Sequence, residues 1–454
     1  MAMISFACDA DVSSQERAAL IAIYDSLGGS NWTNNTNWLS GDPCSNSWFG
    51  ITCQDNQIIK IVLNNKGLAG QIPSEIGDFS ELEVLVLGGS DAITGNIPSE
   101  VGKLTNLTTL YLANNQLSGS IPIGIGNLTK LSVFRLEQNM LSGPIPSEIG
   151  HMTSLYEFYA SGNQLSGEIP PEIGNLSQLT LLFLRSNQLT GSIPETFRNL
   201  TRMSSFSLAD NKLSGPIPLA LTEMHWVFQV YLGNNQLTGR IPPEIANMNR
   251  LKYIELNDNL LEGNIPVGLK DLEILEKINL SNNQLSGQLP AALTESESLR
   301  FLTLANNNFF GTLPQGYGKF FSLNLNNNNI IGQIPSSWSE QAPSRLHLDN
   351  NKLTGPIPDG FSYFQELSLA NNFITGNIPS QLGSRGEFFI LDLSNNNLSG
   401  SIPNSITTES YTAEYISISG NQLSGEIPHN FSSLRRLQHL DLSDNFLTGP
   451  IPKD

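Results

Sequence analysis

The residues of this chain that could perform chemistry are few and far apart. Five histidines and three cysteines are spread over 454 residues, and no phosphate-binding loop, Cys/His metal cluster or nucleophile elbow is present in the sequence. The pairs to test are Asp392 with Asp441 as catalytic carboxylates, and His347 with His439 as joint metal ligands. Whether either pair can meet depends on the elements that carry them.

Those elements are copies of one repeated unit. The tetrapeptide Gly-x-Ile/Leu-Pro recurs about 17 times, and from Gly95 to Gly311 every step is 24 residues. Chance does not produce such a period, so one elongated repeat domain replaces the two or three globular domains that the length would suggest.

Each unit predicts a strand, a turn and an extended return. The segment before the anchor glycine alternates with period two, as in LTTLYLANN, which is typical of a strand with one buried face. Glycine permits a backbone conformation that other residues resist, and the proline after it favours an extended segment. One unit cannot bury its leucines but stacked units can, so the sequence predicts a parallel solenoid.

An asparagine four residues before the anchor is expected to tie the units together. It is present in every unit from Asn115 to Asn445, and only the first two units depart, with Lys66 and Asp91. Buried at a turn, each amide can satisfy backbone groups of its own coil and a neighbouring coil, and an unpaired member would cost about 1–3 kcal/mol.

The whole unit, L-x-x-L-x-L-x-x-N-x-L-x-G-x-I-P-x-x-I/L-G-x-L, resembles the plant-type extracellular leucine-rich repeat family. That family includes receptor-kinase ectodomains, polygalacturonase inhibitors and ice-binding proteins. The resemblance implies an α/β solenoid, a right-handed superhelix with one concave parallel β-sheet, about 17 repeats and a helical N-terminal cap. It also implies an extracellular recognition role without naming what is recognised.

Residues 1–56 are predicted to cap the solenoid of residues 57–454. A helix is expected over about residues 14–28, because Ser13 and Glu16 have capping-box spacing and two glycines end the pattern.

The segment after this helix resembles the family's N-terminal cap. The resemblance rests on the Pro-Cys pair, Trp48, Gly50 and Cys53, and it implies a Cys44–Cys53 disulfide that contributes about 2–4 kcal/mol. The stretch GGSNWTNNTNWL is similar to caps of algal and protist relatives. Cys8 is left over, either free or paired with another chain. At the other end the sequence stops inside a repeat, so we expect either a longer natural chain or another surface that covers this end.

The solenoid separates both candidate pairs. Adjacent strands lie ~4.8 Å apart, so His347 and His439, four coils apart, are ~19 Å from each other, too far for a shared metal. Asp392 and Asp441 are two coils or ~10 Å apart, near the upper limit for an inverting glycosidase, but lie on an open sheet with no pocket to raise one pKa. The sequence predicts no enzyme, no metal and no cofactor.

The repeat does not constrain the outward positions of the strands, so residues that bind a ligand can occupy these positions. In the first half of the predicted concave face these positions expose aromatic and charged side chains over eight coils, or ~38 Å. Aromatic rings with arginine are typical of binding sites, whereas the alternative is cross-strand pairing that stabilises the sheet. The candidate ligand-binding residues are Tyr111, Arg135, Glu157, Tyr159, Phe183, Arg185, Tyr231, Tyr253 and Phe301.

A second column has Ser or Thr immediately before most anchor glycines, as at Ser118 and Thr190. A regular row of hydroxyls could order water or ice, but a hydroxyl here is also ordinary for the family, where it completes the turn. The shortened steps between Gly311 and Gly376 are expected to fall on the convex return.

Glycosylation signals, together with the paired cysteines of the cap, favour a secreted protein. The net charge of −18 disfavours nucleic acid and anionic membranes as partners, and simple solubility is the preferred explanation of this charge. No apolar run is long enough to span a membrane. Nine Asn-x-Ser/Thr sequons occur, at Asn31, Asn34, Asn106, Asn127, Asn175, Asn199, Asn279, Asn397 and Asn430.

We therefore predict a secreted or cell-surface, receptor-like recognition protein that binds a protein, peptide or polysaccharide through its concave and lateral faces. The first alternative is a structural glycoprotein subunit of an extracellular matrix, wall or filament, assembled through its C-terminal end or Cys8. The second alternative is an ice-binding protein.

Overall fold

The computed structural model describes residues 11–316, 318–338, 343–385, 388–408 and 412–452. Two compact units make up the chain, Met1–Asn235 and Gln236–Asp454, and each is a stack of similar coils. Cys8, for which a free thiol or an intermolecular disulfide was predicted, lies outside the described residues.

Every coil begins with a short strand of the first sheet, which is parallel from Gln57–Val62 onward in the N-terminal unit and throughout the C-terminal unit. In most of these strands the middle residue is fully buried and its two neighbours are half-buried, as the period-two pattern predicted. The N-terminal unit contributes Gln57–Val62, Val84–Val86, Thr109–Tyr111, Val133–Arg135, Glu157–Tyr159, Leu181–Phe183, Ser205–Ser207 and Gln229–Tyr231. The C-terminal unit contributes Tyr253–Glu255, Lys277–Asn279, Phe301–Thr303, Ser322–Asn324, Arg345–His347, Glu366–Ser368, Ile390–Asp392, Tyr415–Ser417 and His439–Asp441.

A second set of parallel strands includes or directly precedes the anchor glycines, where the sequence predicted only a turn and an extended segment. At Gly167 the backbone has φ 74°, a conformation that favours glycine, and the residues around it pair with the coils on both sides. In the N-terminal unit these strands are Gly70–Gln71, Ile93–Thr94, Ser142–Gly143, Gln164–Glu168, Gln188–Thr190 and Ser214–Pro216. In the C-terminal unit they are Gln236–Arg240, Leu260–Gly263, Gln284–Gly287, Asn308–Thr312, Asn329–Gln333, Lys352–Gly355, Phe373–Asn377, Asn397–Gly400, Gln422–Glu426 and Phe446–Thr448. We call these strands the second sheet.

Most coils return through a short 3₁₀ helix that starts directly after the repeat proline, whose fixed φ suits an N-terminal position. In the N-terminal unit these helices are Ser74–Asp78, Ser99–Lys103, Ile123–Asn127, Ser147–His151, Pro171–Asn175, Glu195–Asn199 and Leu219–Glu223. In the C-terminal unit they are Pro243–Asn247, Val267–Asp271, Ala291–Glu295, Ser336–Trp338 and His429–Ser433, with a short α-helix at Ser405–Thr408.

The asparagine column forms the predicted hydrogen-bonded spine within each unit. Asn163 shows the pattern: its Nδ2 donates to the carbonyls of Leu136 and Ala160 at 3.0 and 3.1 Å, and its Oδ1 accepts from the Leu141 amide at 2.9 Å. Each spine residue therefore bonds its own coil and the coil before it. The first member, Asn115, has a buried Oδ1 with no partner among the described residues.

Large buried side chains pack the shortened coils, among them Trp338, Phe361 and Phe364. After Gly355 the return has a turn at Asp359–Gly360 in place of a 3₁₀ helix, which agrees with the prediction that the missing residues fall on the return. Trp338 is 1% exposed and donates its indole N–H to the Pro314 carbonyl of the preceding short coil at 3.2 Å. It lines a small apolar cavity of about 20 Å³ together with Leu293 and Phe320.

The N-terminal end is covered by a helix and a cluster of aromatic rings. The helix spans Ser14–Ser26, and the Ser13 hydroxyl accepts from the Glu16 amide at 3.1 Å. It ends two residues before the predicted boundary, because Leu27 leaves the helical conformation and Gly28 turns with φ 68°. A 3₁₀ turn follows at Gly29–Asn31.

A disulfide joins Cys44 to Cys53 with their Cα atoms 5.7 Å apart. Trp38 packs between Trp32 and Trp48, with both ring-centroid distances 5.0 Å. The strand Ile51–Gln54 then pairs antiparallel with Gln57–Val62 and joins this region to the first coil. The division of the chain into a cap of residues 1–56 and a solenoid of residues 57–454 stays a prediction.

Candidate ligand-binding face

The outward side chains of the N-terminal unit's first sheet are aligned in a column along successive strands. Because the parallel strands are in register, one position holds Tyr111, Arg135, Tyr159, Phe183, Ser207 and Tyr231 on successive strands. Glu157 lies two residues before Tyr159 on the same face, and Arg185 lies two residues beyond Phe183. We call these residues the aromatic column.

Arg135 is the centre of this column. Its Nη2 lies 2.7 Å from Glu157 Oε2, and its guanidinium carbon lies 4.3 Å from the Tyr159 ring centroid and 6.0 Å from that of Tyr111. Burial alone would lower the pKa of Arg135, but the hydrogen bond and charge of Glu157 raise it. A fixed cation between two tyrosine rings results.

Glu137 is a half-buried acid beside this cation. One carboxylate oxygen lies 3.9 Å from Arg135 Nη1, and the other is buried with no partner among the described residues. Burial raises the pKa of Glu137 despite the nearby arginine. Its place in the repeat predicts only an outward polar residue, whereas the structure shows a half-buried carboxylate beside Arg135.

Beyond Arg135 the column continues as stacked rings and a second ion pair. Tyr159 and Phe183 stack with centroids 4.8 Å apart and an interplanar angle of 12°. Arg185 Nε lies 2.5 Å from Asp210 Oδ2, and Asn234 donates to the other oxygen at 2.9 Å. Burial opposes ionisation of Asp210, but the bonds from Asn234 and Arg185 lower its pKa. Both arginines of the column thus carry carboxylate partners.

Two predicted residues, Tyr253 and Phe301, belong to the C-terminal unit and have their own neighbours there. The Lys252 ammonium lies 5.0 Å from the Tyr253 ring centroid. Phe301 contacts Phe321 with ring centroids 5.7 Å apart, tilted by 59°. Neither residue is therefore part of the aromatic column.

The C-terminal unit presents a polar cluster that the sequence reasoning missed. His347 Nε2 lies 3.0 Å from Glu366 Oε2, and Arg345 Nε lies 3.2 Å from the other oxygen. Asp349 accepts from the Ser368 hydroxyl and, at 3.2 Å, from the Ala370 amide, and burial raises its pKa. The alternation RLHLD, which places Arg345, His347 and Asp349 on one strand face, was the available signal.

The two carboxylates considered for catalysis are engaged locally. Asp392 accepts from the amide and hydroxyl of Ser394 at 3.0 and 2.6 Å, and Asp441 does the same with Ser443. His439 stacks on Tyr415 with centroids 4.5 Å apart. Nothing in this geometry sets one residue as an acid and the other as a base.

A second polar ladder in the C-terminal unit also escaped the sequence reasoning. Asn282 donates to Asp258 and Asn306 donates to Asn282, both at 2.7 Å. These residues precede the spine asparagines and have φ near 55°, which Asn and Asp tolerate better than other residues. The repeated Asn-Asn and Asp-Asn pairs in the sequence were the signal.

Several of the hydroxyls before the anchor glycines donate to the backbone of the preceding coil. Thr94, Ser118 and Thr354 donate to the carbonyls of the previous anchor glycines at 3.0, 3.3 and 3.3 Å. In the C-terminal unit the row is interrupted by Glu262 and by the exposed Phe310. These bonds favour the role in the turn over a row of free hydroxyls.

The sequons differ in accessibility. Exposed asparagines are Asn31, Asn127, Asn175, Asn199, Asn397 and Asn430, whereas Asn34, Asn106 and Asn279 are half-buried. Glycosylation of any of them remains a prediction.

Within the described segments, no group of three or more His, Cys, Asp and Glu side chains could hold a metal ion. Nor does any helix there have the length and apolar character needed to cross a membrane.

Three family matches cover different parts of the chain. Residues 13–54 match the family described as leucine rich repeat N-terminal domain, and residues 243–353 match the EGF-like domain-containing protein ComC LRR domain. The family described as Leucine Rich Repeat matches residues 106–128, 154–176, 178–200, 228–248, 344–364, 363–384, 389–408, 413–434 and 436–454.

The similar proteins are mainly receptors, together with an ice-binding protein. The plant peptide hormone receptor RGFR1, solved in complex with RGF2, is 33% identical with a TM-score of 0.76, and the match covers 88% of this chain and 72% of that chain. A plant ice-binding protein is 28% identical with a TM-score of 0.53, over 68% of this chain and 91% of that one. A probable leucine-rich repeat receptor-like protein kinase of Arabidopsis thaliana is 46% identical over 59 residues, 13% of this chain. That match spans only 6% of the kinase's own length.

Proposed function

The chain belongs to the plant-type extracellular leucine-rich repeat family, and we propose that it is a non-catalytic, extracellular recognition protein. Its ligand is a peptide or protein, with a polysaccharide as the other class, and the aromatic column of the N-terminal unit is the binding face.

The observation that carries the proposal is the arrangement around Arg135. A guanidinium lies between the Tyr111 and Tyr159 rings, and Tyr159 stacks on Phe183. The rings are half-buried rather than covered, so they offer a rigid apolar surface with charged groups at its edge. Such surfaces lose little conformational entropy on binding and are enriched at interfaces.

The similarity to a peptide hormone receptor supports the peptide class. That protein is a peptide hormone receptor solved in complex with RGF2, and a second similar receptor kinase, HAESA, was solved in complex with the peptide hormone IDA. The near-balance of charge within the column, where Arg135 and Arg185 each have a carboxylate partner, favours a ligand recognised by its shape and rings over a strongly charged one.

The test replaces Tyr159, Phe183 and Tyr231 by alanine together. The wild type should capture a partner from an extracellular extract of the source organism, and the triple variant should lose it. The matched control replaces Asp392, Ser417 and Asp441, which occupy the same outward position in the C-terminal unit, and should capture normally. Equal capture by the triple variant would sink the proposal.

A structural subunit is the second candidate, and one observation favours it. On the second sheet of the C-terminal unit, Phe310, Ile331 and Phe373 are 51, 48 and 55% exposed, and apolar patches of this kind often mark association surfaces. Light scattering over a concentration series tests it. Polymers that disappear on replacing Phe310 and Phe373 by serine favour assembly, whereas a monomer at all concentrations favours recognition.

Ice binding is the third candidate, supported only by the similarity to a plant ice-binding protein. If the chain has no effect in an ice-recrystallisation assay, ice binding is excluded as a function.

A further inference from the structure

The aromatic column contains one break. On three successive strands Phe183, Ser207 and Tyr231 are direct neighbours in register. Tyr159 and Phe183, on the two strands before the break, are stacked rings. Ser207 therefore stands where a third ring would continue the stack toward Tyr231.

The strand spacing provides room for one planar ring once a side chain that covers Ser207 has moved aside. Strands lie ~4.8 Å apart, so the backbones that carry Phe183 and Tyr231 are ~9.6 Å apart. A ring in contact with both neighbours needs ~3.5 Å on each face, or ~7 Å in all. The existing stack shows that ring contact is natural at this spacing, since the centroids of Tyr159 and Phe183 are 4.8 Å apart.

The floor of the break carries an unused hydrogen-bonding group. Ser207 is 3% exposed, and its hydroxyl has no partner among the described residues. Serines at the same outward position in the C-terminal unit do have partners: Ser368 donates to Asp349, and Ser417 lies 3.3 Å from Ser419. The residue two positions after Ser207 is Ala209, which cannot supply such a partner.

We propose that this break is a subsite for a tyrosine or tryptophan side chain of a peptide or protein ligand, an inference that rests on the proposed function. The ligand ring lies between Phe183 and Tyr231, and its phenol O–H or indole N–H hydrogen-bonds Ser207 Oγ at the floor. A buried unpaired hydroxyl is costly, so a ring with a polar edge is preferred over phenylalanine. A pyranose chair is thicker than a planar ring, so the slot favours an aromatic ligand.

Binding includes a side-chain movement. Ser207 is short and faces outward, so its burial requires that side chains on the flanking strands cover it. One of the flanking rings must rotate to admit the ligand ring, a change of the kind common at interfaces.

The experiment titrates the whole chain with N-acetyltyrosinamide, N-acetylphenylalaninamide and methyl β-glucoside, followed by saturation-transfer NMR. The tyrosine probe should bind most tightly. Ser207→Tyr fills the slot with the chain's own ring and should abolish probe binding, while Phe183→Leu removes one wall and should weaken it about threefold to tenfold. Ser207→Ala should bind the tyrosine and phenylalanine probes equally. Ser417→Tyr, at the same position of the C-terminal unit, should bind like the wild type.

The subsite is wrong if folded Ser207→Tyr and Phe183→Leu both bind the tyrosine probe normally, or if the glucoside is preferred. Partner capture separates this failure from failure of the proposed function. Unchanged capture by Ser207→Tyr alongside loss in the triple alanine variant overturns the subsite only. Unchanged capture by the triple variant overturns the binding face itself.

Discussion

The first sheets of the two units are built from the same coil but present different chemistry. In the N-terminal unit, rings and guanidinium groups lie against one another, as Arg135 does over Tyr159. In the C-terminal unit, polar side chains bond to one another, as Glu366 does to His347 and Asp392 does to Ser394. The first surface keeps apolar area available to a ligand, whereas the second has largely used its hydrogen-bonding capacity within the chain.

The difference shows where this fold leaves freedom. The middle residue of each strand must be apolar because it faces the core, and the spine asparagine must be an amide because it bonds two coils. The outward residues meet neither demand, so neighbouring coils can differ completely there. If this account holds, the two units should respond alike to changes in the shared framework and differently to changes on the outward face.

The largest effect is expected in the shared core. Phe158 stacks on Phe134 in the N-terminal unit and Phe388 stacks on Phe364 in the C-terminal unit, with centroids 5.3 and 5.1 Å apart. All four rings have at most 1% exposure. Phe158→Ala and Phe388→Ala should each lower the free energy of unfolding by about 3–5 kcal/mol, because each leaves a cavity. Urea denaturation followed by circular dichroism measures both. A clearly smaller loss in one unit would mean that the units differ in their cores as well as in their surfaces.

The next effect concerns the asparagine spine. Asn163→Ala and Asn372→Ala should each cost about 1–3 kcal/mol, since both amides bond two coils and removal orphans buried backbone groups. Asn115→Ala should cost less, because its Oδ1 already lacks a partner within the described segments. The same denaturation series tests this order. Equal losses at all three positions would refute the spine account.

Much of this framework could be predicted from the sequence, because the residues that determine it recur at a fixed period. The period fixed the coils, the alternation fixed the buried leucines, and Asn163 was assigned its place before its bonds were known. The second sheet was missed because residues such as Gln164–Glu168 pair only through backbone groups, which leave little mark on side-chain type. The cluster of Arg345, Asp349 and Glu366 was missed because it depends on contacts between coils rather than on spacing within one.

A smaller effect should distinguish the buried acids of the two faces. Burial raises the pKa of Glu137 above 4.5 and that of Asp349 above 3.8. The folded chain therefore binds these protons more tightly than the unfolded chain, and stability is lost as the pH rises through the raised values. Glu137→Gln should remove this loss and gain up to about 1 kcal/mol at pH 7, since one carboxylate oxygen has no partner to lose.

Asp349→Asn should gain less, because the carboxylate accepts bonds from Ser368 and Ala370. Unfolding free energies of both variants at pH 4 and pH 7 provide the comparison. A gain from Glu137→Gln that is no larger at pH 7 than at pH 4, or an equal gain from both substitutions, would contradict this assignment.

The smallest effect is expected at the exposed ion pairs, one in each unit. Arg185 pairs with Asp210 and its side chain is 62% exposed, while Lys277 pairs with Glu255 and is 40% exposed. Arg185→Ala and Lys277→Ala should each change stability by no more than about 0.5 kcal/mol, because water and salt screen such pairs. Thermal unfolding in low and in 1 M salt should show no added loss at high salt. A larger cost for Arg185 alone would mean that its ion pair serves the fold. If Arg185→Ala leaves the free energy of unfolding nearly unchanged, Arg185 and Asp210 can exchange partners with a ligand without destabilising the solenoid.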